Sequence, residues 1–513
     1  MECPRNSQRL TASPAKLGKL LVGLESGAII KVRLRIRAIS LCILAFSASF
    51  NSGAQNSRVV DGASEAAFRD SADKAPPNWK GARFKLSHSY PTQMPVCAAP
   101  WLKRNVSFGN PNPNWEEWRG YIQDIVDYIK QGQDPNLPDE IGWRSVVNNE
   151  VRWFHVPWMA YDRERGREFA HGLTNELSTA ASTFHEGRGS GKERIFKALS
   201  ATGGIDPLFE TWSVGMYNRC GAYSLGKAFP ASGIPSVSKR DGRLFADGLP
   251  FPEGTVVMKI LNTTADASSV PYLRGSTNWQ ANAHVQYSPT QYSTCERRPR
   301  TVHLIQIDLA VVDKRSPTRW VYSTLVYNGF LPGKSVLDHL EPLGVQWGND
   351  PHTFPAVARA DSHPLQETVL APVSLPEHYG CEKRLAGAVD QANSSCVSCH
   401  MGAYGAPPPY LNIQGVTIPA IFSFPGLCSD HNAANTAYFS DYKYPQLYPS
   451  SEPSQPNPFE DTVPLDSSLQ LAVAFAQYAT YVSPRALPAT CAATAGIKTP
   501  HAYNNLDTLS KTK

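Results

Sequence analysis

The feature that most constrains this chain is a run of five residues, Cys396-Val397-Ser398-Cys399-His400. Two thiols stand three positions apart, and an imidazole directly follows the second. Any fold adopted here must bring both sulfurs to one place with the ring beside them. Three chemistries use this spacing: covalent attachment of one haem with the histidine on its iron, a zinc site, or a thiol–disulfide redox pair. A zinc site needs two more ligands, which Cys381, Cys428 or His431 would supply. A redox pair usually opens a helix after a strand, whereas the pattern before Cys396 is helical over 382–392.

The cell compartment bears on that choice. Residues 31–37 alternate basic and apolar side chains, residues 38–50 are mostly apolar, and Ser52-Gly53-Ala54 places small residues behind them. This is the basic, apolar and small-residue order of a secretory signal, with cleavage after Ala54. The apolar run is too short for a membrane span, so no integral span is expected in the mature chain. A periplasmic or secreted location follows. Residues 1–30 are odd ahead of a signal and raise the question of the true start.

The leader also explains the charge. Residues 1–37 hold eight Lys and Arg and two acids; from totals of 49 and 44 this leaves 41 basic and 42 acidic residues. The mature chain is therefore near neutral, which gives no electrostatic case for nucleic acid as a partner. Of the ten cysteines, Cys3 and Cys42 leave with the signal. If Cys396 and Cys399 carry a cofactor, Cys97, Cys220, Cys295, Cys381, Cys428 and Cys491 remain. That even set suits disulfides in an oxidising compartment, with pairing open.

Along the chain, residues 1–54 read as leader with signal peptide and 55–75 as a flexible linker. Apolar residues at helical spacing (Trp118, Ile122, Ile125, Ile129) predict a helix over 115–131. Further helices are expected at 165–183 and 190–200. Beyond residue 250 the texture turns β-rich, with strands expected at 255–262, 302–312 and 320–327. Residues 76–375 therefore read as one α+β domain of unknown role. The last part, 376–513, is expected to hold the helix at 382–392, a long loop region and a helix at 469–482, with Asp466, Ser467 and Ser468 as its caps.

With the motif, a preceding helix, a loop wrap and a terminal helix in hand, residues 376–490 resemble the cytochrome c family. The resemblance implies one covalent haem c held by Cys396 and Cys399, with His400 as proximal iron ligand. It also implies a loop carbonyl near Gly402, Gly405 or 407–409 that accepts the imidazole proton. The expected fold class is an α+β large domain followed by a small mostly α cytochrome c-like domain. The expected function is that of an exported mono-haem c-type cytochrome transferring electrons to or from a redox partner protein or a small-molecule oxidant or reductant. The alternative is a haem oxidoreductase with a substrate pocket in the N-terminal domain. The chain departs from the family in its sixth ligand. The only Met after the motif is Met401, next to the proximal His and unable to reach the opposite haem face. His431 is the preferred distal candidate; the alternatives are His501, Met94, Met159, Met216, Met258, an upstream His, and a position left open or filled by water.

Other signals read as structural. The stretch 187–192 is one residue short of a phosphate loop, and His185-Glu186 lacks the second His of a zinc protease. Trp143, Trp153 and Trp158 read as core packing, and Asp308 and Asp313 as turn markers.

Overall fold

The β-rich runs beyond residue 250 line up side by side. In the computed structural model the described residues are 63–68, 86–131, 146–147, 150–159, 173–180, 208–284, 297–353, 364–373, 375, 379–390, 394–405, 412–413, 416–417, 437–446 and 459–482. Short strands come first: β1 (Val146–Val147), β2 (Glu150–Val151) and β3 (Phe154–His155). Then follow β4 (Leu173–Ala180), β5 (Leu208–Tyr217), β6 (Val237–Arg240), β7 (Arg243–Ala246), β8 (Val256–Thr263) and β9 (Asn278–His284). The long β10 (Arg297–Val312) precedes β11 (Trp320–Tyr327), β12 (Leu340–Gln346) and β13 (Thr368–Leu370). The remaining strands are the two-residue β14 (Tyr404–Gly405), β15 (Asn412–Ile413), β16 (Val416–Thr417) and β17 (Val463–Pro464). The helices are α1 (Ala63–Phe68), α2 (Trp115–Lys130), α3 (Arg219–Ala228), α4 (Cys396–Met401) and α5 (Leu469–Val482).

Among the described residues, nine strands make one sheet in the order β13-β12-β11-β10-β8-β5-β3, with β4 also on β5 and β9 also on β10. These pairs are antiparallel. Successive side chains of a strand point to opposite faces, so each strand feeds two cores. Met216, Met258, Ile260, Leu309 and Val311 join Trp118, Ile122, Ile125 and Ile129 of α2 in one core. Ala310, Val312, Trp320 and Tyr322 join Val397, Met401, Leu471 and Phe475 in the other. Helix α2 starts where Asn114 caps it, accepting from the Glu117 N–H at 3.1 Å.

Residues 397–482 supply most of the second core's partners, while Leu385 and Ala388 of the same C-terminal segment reach the first core; two glycines allow the close approach. A Cβ on Gly215 of β5 would lie 1.4 Å from Gln470 Nε2, and one on Gly387 would lie 2.4 Å from Gln306 Nε2. Residues 52–513 form one compact unit.

This corrects the expected fold class. Among the described residues the molecule is dominated by a large antiparallel sheet with few helices, and no mostly α cytochrome c-like domain follows an α+β one. Residues 381–383 make a single 3-10 turn in place of the helix at 382–392, with Glu382 and Lys383 at φ 49° and 67°. Those left-handed residues cannot propagate an α-helix, and Gly387 follows directly under Gln306. The helix expected over 165–183 is also overturned where it is described: 173–180 is strand β4, paired with β5. Leu173, Leu177 and Ala180 stand at helical spacing, but pairing along β5 overrides that local pattern. The stretch 190–200 lies outside the described residues. The helices at 115–130 and 469–482 and the three β-rich runs agree with expectation.

Candidate functional site

The Cys-x-x-Cys-His run forms α4, a short helix laid on the sheet. Ser395 caps it: its Oγ accepts from the Ser398 N–H at 3.1 Å, and its carbonyl accepts from the Cys399 N–H at 3.0 Å. Val397, Ser398 and Met401 are buried, whereas Cys396, Cys399 and His400 each keep part of their surface open. Cys396 and His400 nonetheless face the sheet, beside Asp308 and Tyr322, and are only partly open at their edges. Neither Cys396 nor Cys399 is in a disulfide, while Cys97 is bonded to Cys220 and Cys381 is also disulfide-bonded. The motif thiols are thus kept apart from the bonded set. The Cys396 sulfur donates to the Leu385 carbonyl at 3.4 Å. Burial first, then the negative fields of Asp390 and Asp308, pushes its thiol well above the usual range.

His400 has a defined tautomer. Its Nδ1 lies 3.0 Å from the backbone oxygen of Ser467. A carbonyl can only accept, so Nδ1 carries the proton and Nε2 keeps its lone pair. The ring leans on Tyr322, with centroids 4.8 Å apart and a 43° tilt. Burial dominates its titration and lowers it to about 4, with the Ser467 bond opposing and Lys259 adding to the fall. The imidazole is neutral at pH 7, the form that binds a metal.

Ser467 is held by its neighbours. Asp466 is buried beside Arg319, with the Arg319 Nη1 to Asp466 Oδ1 distance 2.9 Å. Asp466 also accepts from the Phe251 N–H at 2.7 Å and from Trp320 Nε1 at 3.3 Å. Burial raises its carboxyl to about 6 against the pull of Arg319. Ser468, expected among the caps, is the α5 cap and accepts from the Leu471 N–H at 3.1 Å. Asp466 and Ser467 instead take φ 47° and 62°.

Beside Cys396 the sheet carries polar groups. Asp308 Oδ1 accepts from Gln306 Nε2 at 3.0 Å and from Thr324 Oγ1 at 2.9 Å. Asp390 accepts from the Gly387 N–H at 2.6 Å. Burial, then repulsion from Asp390, raises the Asp308 carboxyl to about 8. Asn349, fully buried, ties the start of α4 down: its Oδ1 accepts from Ser395 Oγ at 3.0 Å and Ser398 Oγ at 2.5 Å. Its Nδ2 donates to the Ser440 carbonyl at 2.9 Å.

The structure brings Cys396, Cys399 and His400 onto one helix. His431 and His501 lie outside the described residues, as do Cys295, Cys428, Cys491, Trp143 and 185–192. Met216 and Met258 sit in the α2-side core, across the sheet from His400. Met94 is exposed, and Met159 is buried among α5-side residues. Trp153 and Trp158 are core residues. Among the described residues no group of three His, Cys, Asp or Glu is placed to hold a metal, and the disulfide removes Cys381 as a zinc ligand. The carbonyl that accepts the imidazole proton comes from Ser467, 67 residues on, and not from the Gly- and Pro-rich stretch after the motif.

Asp313 is a buried turn residue, paired with Arg315 at 2.7 Å. Asp308, read as a turn marker, stands inside β10 facing the site. The acid inside an apolar β run was the available signal for it. Asn349 and Lys259 had no local signal, and Asp466 was signalled only as a helix cap. Set against family models, curated proteins and solved structures, the chain matches none.

Proposed function

We propose that this protein is an exported mono-haem c-type cytochrome, periplasmic or secreted, that exchanges electrons with a redox partner protein or a small-molecule oxidant or reductant. The reading rests on one observation above all. His400 donates Nδ1–H to Ser467 and keeps the Nε2 lone pair, on the same short helix as two thiols outside any disulfide. This is the donor set that covalent haem attachment requires, and the residues present fit it: Cys396 and Cys399 for the thioether bonds, His400 Nε2 for the iron. Haem, when bound, supplies reversible one-electron chemistry.

The chain's own residues do the rest. Ser467 fixes the ring and strengthens Nε2 as a donor, as hydrogen bonds to ligand imidazoles do. The sheet under α4 excludes water from one side of the site. His431, which lies outside the described residues, would be the second iron ligand in this proposal.

A second reading, a haem oxidoreductase, draws on the Lys259, Asp308 and Asp390 charges beside Cys396 and His400. Such groups can hold or move a proton next to a bound small molecule.

The test is a pyridine haemochrome spectrum of the full chain exported from a host with c-type maturation. One c-type haem per chain is expected, lost in Cys396→Ser/Cys399→Ser. No haem, or haem extractable into acid solvent, overturns the proposal. Carbon monoxide added to the reduced protein then divides the readings. An unchanged spectrum marks a six-coordinate electron carrier, and a shifted one marks an iron open to ligands.

A further inference from the structure

We propose that Asp466 and Arg319 are positioning residues whose buried ion pair aims the Ser467 carbonyl at His400 Nδ1 and so sets the tautomer of the site's imidazole.

Three observations converge on that carbonyl. The first is backbone conformation. Asp466 and Ser467 are consecutive non-glycine residues at φ 47° and 62°, and Arg319 itself lies at φ 69°. Left-handed backbone is unfavourable for such residues and persists only where surroundings impose it.

The second is what imposes it. Both Asp466 oxygens are used, Oδ1 by Arg319 Nη1 and Trp320 Nε1, and Oδ2 by the Phe251 N–H. Arg319 Nη2 donates to the Phe251 carbonyl at 2.8 Å, closing a ring of contacts around the same point. On the other side of Ser467, Ser468 Oγ lies 2.6 Å from the Tyr217 hydroxyl of β5. The Leu465 N–H donates to the Ala403 carbonyl at 3.0 Å, just past α4. The peptide after Ser467 is thus pinned from the β10–β11 turn, from β5 and from the end of the motif helix.

The third is what the pinned carbonyl does: among the described contacts it accepts from His400 Nδ1. An ion pair serving stability alone has no need of two left-handed residues beside it, because burying the two charges is itself costly. Two strained residues whose product is one aimed carbonyl mark a placement device. The consequence for iron ligation rests on the haem reading proposed above; the consequence for the tautomer does not.

The test uses the full chain labelled with 15N-histidine, made without haem, with His400 assigned by difference from His400→Gln. The parent is expected to show a single His400 tautomer protonated at Nδ1. Asp466→Asn should give a mixture of tautomers, and Trp320→Phe, which removes the longest of the three contacts, a smaller departure. Trp320→Phe decides the matter if Asp466→Asn fails to fold. In the haem-loaded protein Asp466→Asn should raise the reduction potential, because a less firmly hydrogen-bonded imidazole donates less to iron. A His400 signal unchanged in both folded variants, or a parent protonated at Nε2, overturns the clamp. If no haem attaches at all, the function proposal falls while the tautomer measurement still judges the clamp.

Discussion

The two faces of the central sheet are built from the same strands and do different work. Toward α2, alternate residues of β5, β8, β10 and β11 are Met216, Met258, Ile260, Leu309, Val311 and Val321, closed over by tryptophans and isoleucines. Toward the C-terminal segment, residues of the same strands are Lys259, Gln306, Asp308, Tyr322 and Thr324, meeting Cys396, His400 and Asp390. The first face takes its stability from apolar area removed from water, which needs no special geometry. The second adds to its own apolar core buried polar groups that are tolerable only when each finds a partner, and that demand for partners places the motif side chains. A sheet with one dry face can carry such a second face without losing its fold.

The comparison breaks most visibly if the dry face proves dispensable. Trp118 is fully buried, stacks on Trp347 with centroids 4.0 Å apart and meets Phe108 edge-on at 5.1 Å. Trp118→Ala is expected to cost about 3–5 kcal/mol, the usual range for emptying an aromatic core site. Denaturant unfolding measures it. The His400 tautomer should be unchanged while the protein is folded, because α2 touches only the opposite face. A shifted tautomer would mean that the faces are not separable.

A smaller loss, of a different kind, is expected on the polar face. Asn349→Ala removes the acceptor shared by the Ser395 and Ser398 hydroxyls and the donor to the Ser440 carbonyl, leaving the Ser398 hydroxyl proton and that carbonyl without this partner. Leaving buried polar groups unpaired should cost about 2 kcal/mol, with little apolar area lost. On the proposed haem reading, the comparison is sharpened if haem attachment falls in this variant more than in Trp118→Ala at matched stability. Equal losses would show that attachment follows global stability and not the local hold on α4.

Sequence legibility divides along the same line. Helix α2 is readable from Trp118, Ile122, Ile125 and Ile129, because a helix facing an apolar sheet repeats its own period. β11 is readable because Trp320–Tyr327 is buried throughout. Five residues sufficed to single out Cys396, Cys399 and His400, which lie on one short helix. The resemblance to a small helical domain then misled, because it supplied a helix at 382–392 where Glu382 and Lys383 turn left-handed. What encloses the motif comes from distant positions: Asn349, Ser467, Tyr322 and Asp308 lie 46 to 91 residues from the residues they serve, and no local period records such pairings. Ser467 shows the limit well: its side chain looks like a cap, whereas its backbone oxygen is the contact that matters.

The smallest effect expected is a slope with pH, and its sign tests whether the polar face is held by protonated carboxyls. Glu367 lies beside Asp441 and Asp350, and Asp350 accepts from the Glu367 N–H at 2.8 Å while donating its own N–H to Glu367 Oε2 at 2.8 Å. Burial, then the charges of Asp441 and Asp350, raises the Glu367 carboxyl to about 8. The folded chain therefore binds a proton there that the unfolded chain has already released, and folding stability must fall as pH rises toward 8. Asp308, raised to about 8, acts in the same direction. His400, lowered to about 4, acts oppositely, but only below its ordinary value of 6.5. Between pH 6.5 and 8 the carboxyls act alone, so the haem-free chain should lose stability across that interval. Glu367→Gln should flatten the loss and Glu367→Gln/Asp308→Asn flatten it further, while Trp118→Ala lowers stability at every pH without changing the slope. A rising slope in the parent would mean that these carboxyls are ionised in the fold, and that the polar face is held by charge and not by shared protons.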